Sequence, residues 1–255
     1  MDKLSVVIIA FNEEKQILRC LESVGPVADE VLVVDSHSTD ATASLCANWG
    51  AKVLQHAWEG FSVQKNWADS QAAHDWVFSI DADESLSPAL CEAILQQKQK
   101  GFHGAYSMPR LTCFNGRWVR HCGWYPDTKI RLWNRRQGEW RGDVHETIFF
   151  EPAQPVTPLK GDLLHHVQVT DEEYRQNVDR YSGIRAQTYF RQGKRPDFYH
   201  LNIAPVFKFL EVYLFHGGFL DGRTGLKIAR MGFYSMRLRY LKLREMYKSS
   251  NPAGK

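Results

Sequence analysis

The sequence contains no glycine-rich phosphate loop. Neither G-x-G-x-x-G after the first apolar segment nor G-x-x-x-x-G-K-[ST] occurs anywhere, which argues against a nicotinamide enzyme and against a P-loop nucleotide hydrolase. Cysteine is sparse. Cys20, Cys46, Cys91, Cys113 and Cys122 are scattered with no C-x-x-C pair. This excludes a disulfide framework or a cysteine zinc site and reads as reduced thiols in a cytosolic protein. Long apolar runs are also missing. The best window, LNIAPVFKFLEVYLF, is interrupted by Pro205, Lys208 and Glu211, so nothing is long enough to span a bilayer. The opening MDKLSVVIIAFNEE carries Asp2 and runs into charge, unlike a signal peptide. There is no internal repeat and no low-complexity stretch. With 44% hydrophobic and 24% charged residues, the composition excludes a mainly disordered or fibrous chain.

Charge is unevenly shared. Residues 1–169 carry 16 basic against 21 acidic side chains, and residues 170–255 carry 16 against 8. An acidic front and a basic tail imply two different tasks. The front opens with LSVVIIAF, a nearly continuous apolar run of the kind that forms a strand buried on both faces. Asn12 is placed to cap a following helix, with Glu13 and Glu14 in its first turn. EVLVVD (30–35), KVLQ (52–55) and WVFSID (76–81) continue the strands, with helical stretches between them, one of them over about 62–73. The order β-α-β-α-β-α-β predicts an α/β fold with a mostly parallel sheet and crossover helices. Residues 104–169 read as short antiparallel strands and long loops. Thr170 and Glu173 fit a capping box that opens a helical extension, and Gly193 fits its first stop. The expected domains are 1–169 and 170–255.

In open α/β sheets ligands bind beyond the carboxyl ends of the strands. Here those ends read Phe11-Asn12-Glu13, Asp35-Ser36 and Asp81-Ala82-Asp83. Carboxylates gathered there repel a phosphate unless a divalent cation, Mg²⁺ or Mn²⁺, bridges them to a diphosphate. The D-x-D spacing suits this because residues i and i+2 of an extended chain point to the same side. A solvated turn is the plainer reading of D-x-D alone; the buried strand before it and the two other polar strand ends favour the cation.

VVIIAFNEE, VLVVDSHSTDAT, SIDADE and WRGDVHE together resemble glycosyltransferase family 2, inverting enzymes of the Rossmann-like GT-A fold that use nucleotide-diphosphate sugars. The tail FKFLEVYLFHGGFLDGRTGLKIA is similar to the bacterial branch that builds the lipopolysaccharide inner core, including β-1,4-glucosyltransferases acting on the first heptose. The resemblance implies a UDP-sugar donor, with glucose from UDP-glucose moving to a core heptose. It implies that Phe11 stacks on uracil, although plain core packing explains it as well. Glu13 is expected to reach the ribose, Asp35 the base, and Asn12, Ser38 and Asp40 the same loops. Lys65, beside Asn66, is expected at the diphosphate. Asp81 and Asp83 are expected at the metal and sugar nucleotide, Asp83 being favoured as the direct ligand.

Inverting transfer needs a carboxylate to take the acceptor hydroxyl's proton. Many family members carry an acidic pair at this point, where this chain has GDVHE. Asp143 and Glu146 are the candidate bases, Glu146 being favoured, and His145 can hold the metal, orient the base or pack. Arg117, Arg120, Arg131, Arg135, Arg136 and Arg141 offer a surface for a phosphorylated oligosaccharide or form a solvated basic face. Trp118, Trp124, Tyr125, Trp133 and Trp140 suit sugar faces or a core.

In the tail, Leu226, Ala229, Phe233, Met236, Tyr240, Leu243 and Tyr247 form one apolar stripe of a helix. Arg223, Lys227, Arg230, Arg237, Arg244 and Lys248 flank it. An apolar stripe this regular serves packing on its own domain or in a dimer seam equally well, but the excess of positive charge favours the anionic cytoplasmic face of the inner membrane, and that is the expected role of the tail helix. The acidic front argues against nucleic acid. Other readings are a different UDP-sugar, a different membrane-linked glycan acceptor, a nucleotidyltransferase, or a noncatalytic nucleotide-sugar-binding module at a membrane surface.

Overall fold

The computed structural model describes residues 2–142 and 146–250. The chain divides into two compact units, residues 1–111 with 126–166 and residues 112–125 with 167–255. The second unit thus takes in a stretch, 112–125, from inside the expected first domain.

The first unit opens with β1 (Leu4–Ala10), α1 (Ile17–Val24), β2 (Glu30–Asp35), α2 (Thr42–Trp49), β3 (Lys52–Gln55), α3 (Phe61–Ser70) and β4 (Trp76–Asp81). This is the alternation expected from the sequence. It continues with β5 (Glu84–Leu86), α4 (Pro88–Lys100) and β6 (Ala105–Phe114). After β7 (Arg117–Val119) come β8 (Asp127–Asn134), β9 (Gly138–Arg141), β10 (Thr147–Phe150), β11 (Val156–Pro158) and β12 (Leu163–Val167). The main sheet runs β3-β2-β1-β4-β8-β6-β12-β5. The first four strands are parallel. The β4–β8, β8–β6 and β12–β5 pairs are antiparallel, and β9 and β10 form a separate hairpin.

The apolar run of β1 is explained by its two covered faces. Leu4, Val6 and Ile8 pack with Ile17, Leu21, Phe78 and Ile80. Val7 packs on the other face with Leu32, Ala68, Val77 and Trp133. Each such side chain contributes about 1.5–3 kcal/mol when fully buried. Helix α4 begins where expected physics puts a start: Ser87 accepts the Leu90 N–H at 3.3 Å and Pro88 occupies the first turn.

Helix α1 departs from expectation. It begins at Ile17, so Asn12 is not its cap and Glu13 and Glu14 precede it. Asn12 instead takes a left-handed conformation, φ +55°, and its side-chain oxygen accepts the Thr39 N–H at 2.8 Å. A bond to a neighbouring loop has displaced the local cap, a competition open to any short amide side chain.

In the second unit β7 pairs with the end of β6. Then come α5 (Asp171–Arg191), α6 (Ala204–Leu210) between two π-helical turns, Tyr199–Ile203 and Glu211–Phe215, a 3₁₀ turn at Gly218–Asp221, and α7 (Gly222–Ser250). The capping box forms as read: Thr170 Oγ1 accepts the Glu173 N–H at 3.1 Å and Glu173 accepts the Thr170 N–H at 2.7 Å. The apolar stripe of α7 is used inside the unit. Ala229 and Leu243 are buried and the other stripe residues are partly covered. Tyr240 lies 6.0 Å from Tyr189 and Tyr247 lies 4.7 Å from Phe190. Packing on its own unit is therefore the alternative that the stripe adopts. Among the described residues no single helix is long and apolar enough to cross a membrane.

Helix α7 also meets the preceding turn at close range. A Cβ on Gly225 would fall 1.7 Å from the Gly218 carbonyl oxygen. Backbone cannot give way as a side-chain tip does. Gly225→Ala is expected to lower the stability of the second unit by about 2 kcal/mol, read as a lower urea midpoint; an unchanged midpoint would show that the contact relaxes freely.

Candidate functional site

The strand order β2-β1-β4 sets three carboxyl ends side by side, the place where α/β sheets bind ligands. A cavity of about 600 Å³ opens there, lined among others by Phe11, Glu13, Ser36, Trp58, Asp83 and His165. Phe11 is 56% exposed. It is therefore wall and not core, and its ring is available for stacking. Trp58 and Phe61 meet edge to face, 4.7 Å between centroids, beside it.

The floor is two loops tied together. The Asn12 N–H donates to Ser38 Oγ at 2.9 Å, and Glu13 N–H donates to Thr42 Oγ1 at 2.8 Å. Glu14 N–H reaches Asp40 at 3.2 Å, and Ala41 N–H returns to Glu14 at 3.1 Å. Asp35 is buried and accepts both the Ser38 N–H, at 2.9 Å, and the Ser38 hydroxyl. Asp40 holds the start of α2 through Thr42; desolvation is the largest single influence on its carboxyl and raises it, but the bonds from Thr42 and from the Glu14 N–H together outweigh it and keep the carboxyl below the usual range. Asn12, Asp35, Ser38 and Asp40 thus act within the loops, while Glu13 faces the cavity. Partial burial, with the charges of Asp83 and Asp40, pushes Glu13 up to about 7.

The three carboxylates after β4 have three different surroundings. Glu84 is fully buried and accepts from Arg131 at 2.9 Å, Arg110 at 3.3 Å and the Asp81 N–H at 3.1 Å. Asp81 is pinned through both oxygens, to Lys65 at 2.9 Å and to Arg131 at 2.8 Å. Burial alone raises its proton affinity, but the two cations outweigh burial and hold the carboxyl well below the usual range. Asp83 lines the cavity beside Asp81, with Oδ2 3.1 Å from His165 Nε2. The β12–β5 register delivers His165 there, opposite Glu84.

Among the described residues no group of three or more His, Cys, Asp or Glu side chains is arranged to hold a metal by itself. Asp83 and His165 nevertheless offer one oxygen and one nitrogen donor on the cavity wall. That pair fits a cation whose remaining ligands come from phosphate oxygens and water, as is common for Mg²⁺ and Mn²⁺. Asp81, expected as a metal ligand, fits poorly because both its oxygens are engaged. Asp143 and His145 lie outside the described residues.

Lys65, expected at a diphosphate, is 1% exposed and bridges two acids. Its Nζ lies 2.9 Å from Asp81 Oδ1 and 2.9 Å from Glu146 Oε1, and 4.6 Å from the Trp140 ring centroid. Asn66 exchanges two bonds with the Trp140 backbone at 2.9 and 2.8 Å. Asp69 accepts the Trp140 indole N–H at 3.0 Å. One face of α3 thereby fixes β9 and, through Lys65, the carboxylate that precedes β10. Glu146 lines a second cavity of about 430 Å³ with Arg110, Lys129, Arg131 and Trp140, and that cavity shares Phe61 and Asp81 with the first.

Of the arginines marked in the sequence, Arg131 is buried in the acidic cluster. Arg135 and Arg136 pair with Asp75, and Arg141 pairs with Glu139. Trp133 and Trp140 are core. His165 and Trp58 were not legible as site residues, although an aromatic in the loop just past β3 was a usable signal for Trp58.

Lys65→Met removes the bridge and leaves Glu146 without its cation. The expected loss is about 3 kcal/mol of stability in a urea titration; a loss under about 1 kcal/mol would mean that the bridge does not hold the segment. Asp69 supplies a pH test. Desolvation, partly opposed by the Trp140 bond, pushes its carboxyl up to about 7. The folded state therefore retains a proton that the unfolded chain has released, and stability falls as pH rises from about 4 to about 7. Asp69→Asn keeps an acceptor for the indole and is expected to gain on the wild type by a few kcal/mol across that window. A stability difference independent of pH would show that Asp69 titrates normally.

Known proteins share this chain's features. Residues 5–151 match the family described as glycosyl transferase family 2. An uncharacterized glycosyltransferase of Rickettsia typhi is 30% identical over 98% of this chain and 90% of its own length. The lipopolysaccharide core biosynthesis glycosyltransferase LpsC of Rhizobium meliloti is 32% identical over 87% of each chain. Among solved structures, TarS of S. aureus in complex with UDP-GlcNAc aligns over 97% of this chain and 92% of its own, with 16% identity and a TM-score of 0.49. Glucosyl-3-phosphoglycerate synthase of Mycobacterium tuberculosis, in complex with Mn²⁺, UDP-glucose and phosphoglyceric acid, aligns over 45% of each chain, with 24% identity and a TM-score of 0.37. With the family's motifs spread over the strand ends just described and relatives aligned along nearly its whole length, the chain belongs to glycosyl transferase family 2 and is a glycosyltransferase.

Proposed function

We propose that this glycosyltransferase takes glucose from UDP-glucose and joins it, with inversion, to a heptose of the lipopolysaccharide inner core. The observation that carries the reading is the pair of adjoining cavities. One presents Phe11, Asp83 and His165, the other Glu146, and they share Asp81. The kinship with LpsC, 32% identical, supports the acceptor class. A lipid-anchored acceptor and a water-soluble donor meet at the cytoplasmic face of the inner membrane, which is the localisation we propose.

In this reading Phe11 stacks on the uracil and Glu13 meets the ribose hydroxyls. Asp83 and His165 would hold a divalent cation, which would supply positive charge against the departing diphosphate. Glu146 receives the proton of the acceptor hydroxyl as that oxygen bonds to the anomeric carbon. The bond from the anomeric carbon to the diphosphate oxygen breaks with its electron pair, and UDP departs. Lys65 fixes the orientation of Glu146 against Asp81. Arg110 and Lys129, on the wall beside Glu146, supply positive charge for acceptor phosphates.

Calorimetric titration with UDP-glucose and other nucleotide sugars, with Mn²⁺ and then with chelator, tests the donor side. Asp83→Asn is expected to abolish cation-dependent binding. Glu146→Gln is expected to leave donor affinity within about twofold and to cut turnover about 10²–10⁴-fold. Unchanged turnover removes Glu146 as the base, and absence of binding to every nucleotide sugar by folded protein removes the donor reading.

A further inference from the structure

Because the stripe of α7 is spent on internal packing, the surface that meets a membrane must be sought elsewhere in the second unit. Residues 198–220 supply one. Phe198, Phe207, Leu214, Phe215, Phe219 and Leu220 all project into solvent, Phe198 at 72% and Phe215 at 80% exposure. The same segment anchors itself by its other side, where Pro205, Val212 and Gly218 are buried. Large apolar side chains concentrated in so short a span mark a contact surface, since isolated exposed residues are ordinary but a concentration is not. The π-helical turns at Tyr199–Ile203 and Glu211–Phe215 shift the helical register within this span, a device often found at functional positions.

Charge identifies the occupant. Arg223, Arg230, Arg237 and Arg244 are exposed and recur every seven residues along α7. Seven residues fall about 20° short of two full turns, so the four guanidinium groups follow one slowly winding line. Near its end Arg195, Arg244 and Lys248 line a cavity of about 450 Å³ with no acidic side chain among its lining residues. Arg195 lies 5.4 Å from the Tyr247 ring centroid there. A cationic cavity of this kind suits a phosphate headgroup. The same surface of a second copy suits it badly, because residues 170–255 carry 16 basic against 8 acidic side chains and two such surfaces repel. We propose that the exposed apolar segment 198–220 enters the interface of an anionic lipid bilayer, with the arginine line of α7 and the Arg195–Arg244–Lys248 cavity holding lipid headgroup phosphates.

The proposal deepens the membrane part of the functional reading and is tested apart from its chemistry. Full-length protein is sedimented with vesicles of phosphatidylglycerol and phosphatidylethanolamine, and with vesicles of phosphatidylcholine alone. Binding to the anionic vesicles is expected to be at least about tenfold tighter and to weaken as salt rises. Phe207→Glu with Phe215→Glu, and separately Arg230→Glu with Arg237→Glu, are each expected to lose about tenfold or more. Both pairs are surface changes, so an unaltered circular dichroism spectrum and UDP titration separate a lost surface from a lost fold or donor site. Equal binding by wild type and both double variants overturns the proposal. So does a wild-type dimer by light scattering that the Phe207→Glu, Phe215→Glu variant dissolves, since a second copy then covers the patch.

Discussion

A lysine ammonium buried between two carboxylates is the constraint on which the site rests. Lys65 cannot remain charged at 1% exposure without partners, and it finds them in Asp81, at the end of a core strand, and in Glu146, at the mouth of the β9–β10 hairpin. Once those distances are satisfied, the position of Glu146 relative to the sheet is no longer free. Asn66 and Asp69 repeat the anchoring through Trp140. Buried ion pairs add little net stability, because desolvation offsets attraction, but they penalise any arrangement that leaves one charge alone. Here that penalty fixes the Glu146 carboxylate on the wall of the second cavity, across Lys65 from Asp81, which both cavities share.

The run Asp81-Ala82-Asp83-Glu84 shows how one local sequence is divided by its surroundings. Glu84 serves as counter-ion to Arg131 and Arg110, Asp81 is shared by Arg131 and Lys65, and Asp83 is left for the cavity and His165. Internal cations neutralise two acids, so the negative charge presented to a ligand is narrowed to Asp83 and Glu13. Glu13, pushed up to about 7 by burial and by Asp83, already registers the strength of that local field.

The sequence announced whatever depends on neighbours in the chain. Continuous apolar runs predicted the parallel strands of β1, β2 and β4, and polar residues after them predicted the edge at which a cavity opens. The capping box at Thr170 and Glu173 was equally local. Contacts across long separations were not legible. Nothing near Lys65 indicates that it turns inward toward Glu146, 81 residues away, and nothing near His165 indicates that β12 will lie against β5. Asn12 was misread because its cap role competed with a bond to Thr39, a loop that the sequence does not place beside it. The stripe of α7 was visible, but a stripe specifies only that something covers it, and α5 and α6 do so.

The pairing of Asp83 with His165 joins two points 82 residues apart, and the second lies beyond the 5–151 segment that carries the family's match. Strand β4, which leads into Asp83, is made well before β12, whereas β5, which follows Asp83, takes its sheet pairing from β12. Until β12 docks on β5, the cavity lacks its imidazole wall and Asp83 lacks its partner. Completion of the cavity wall therefore waits for β12, a strand that begins at Leu163 and carries His165, 82 residues of chain after the carboxylate its imidazole meets.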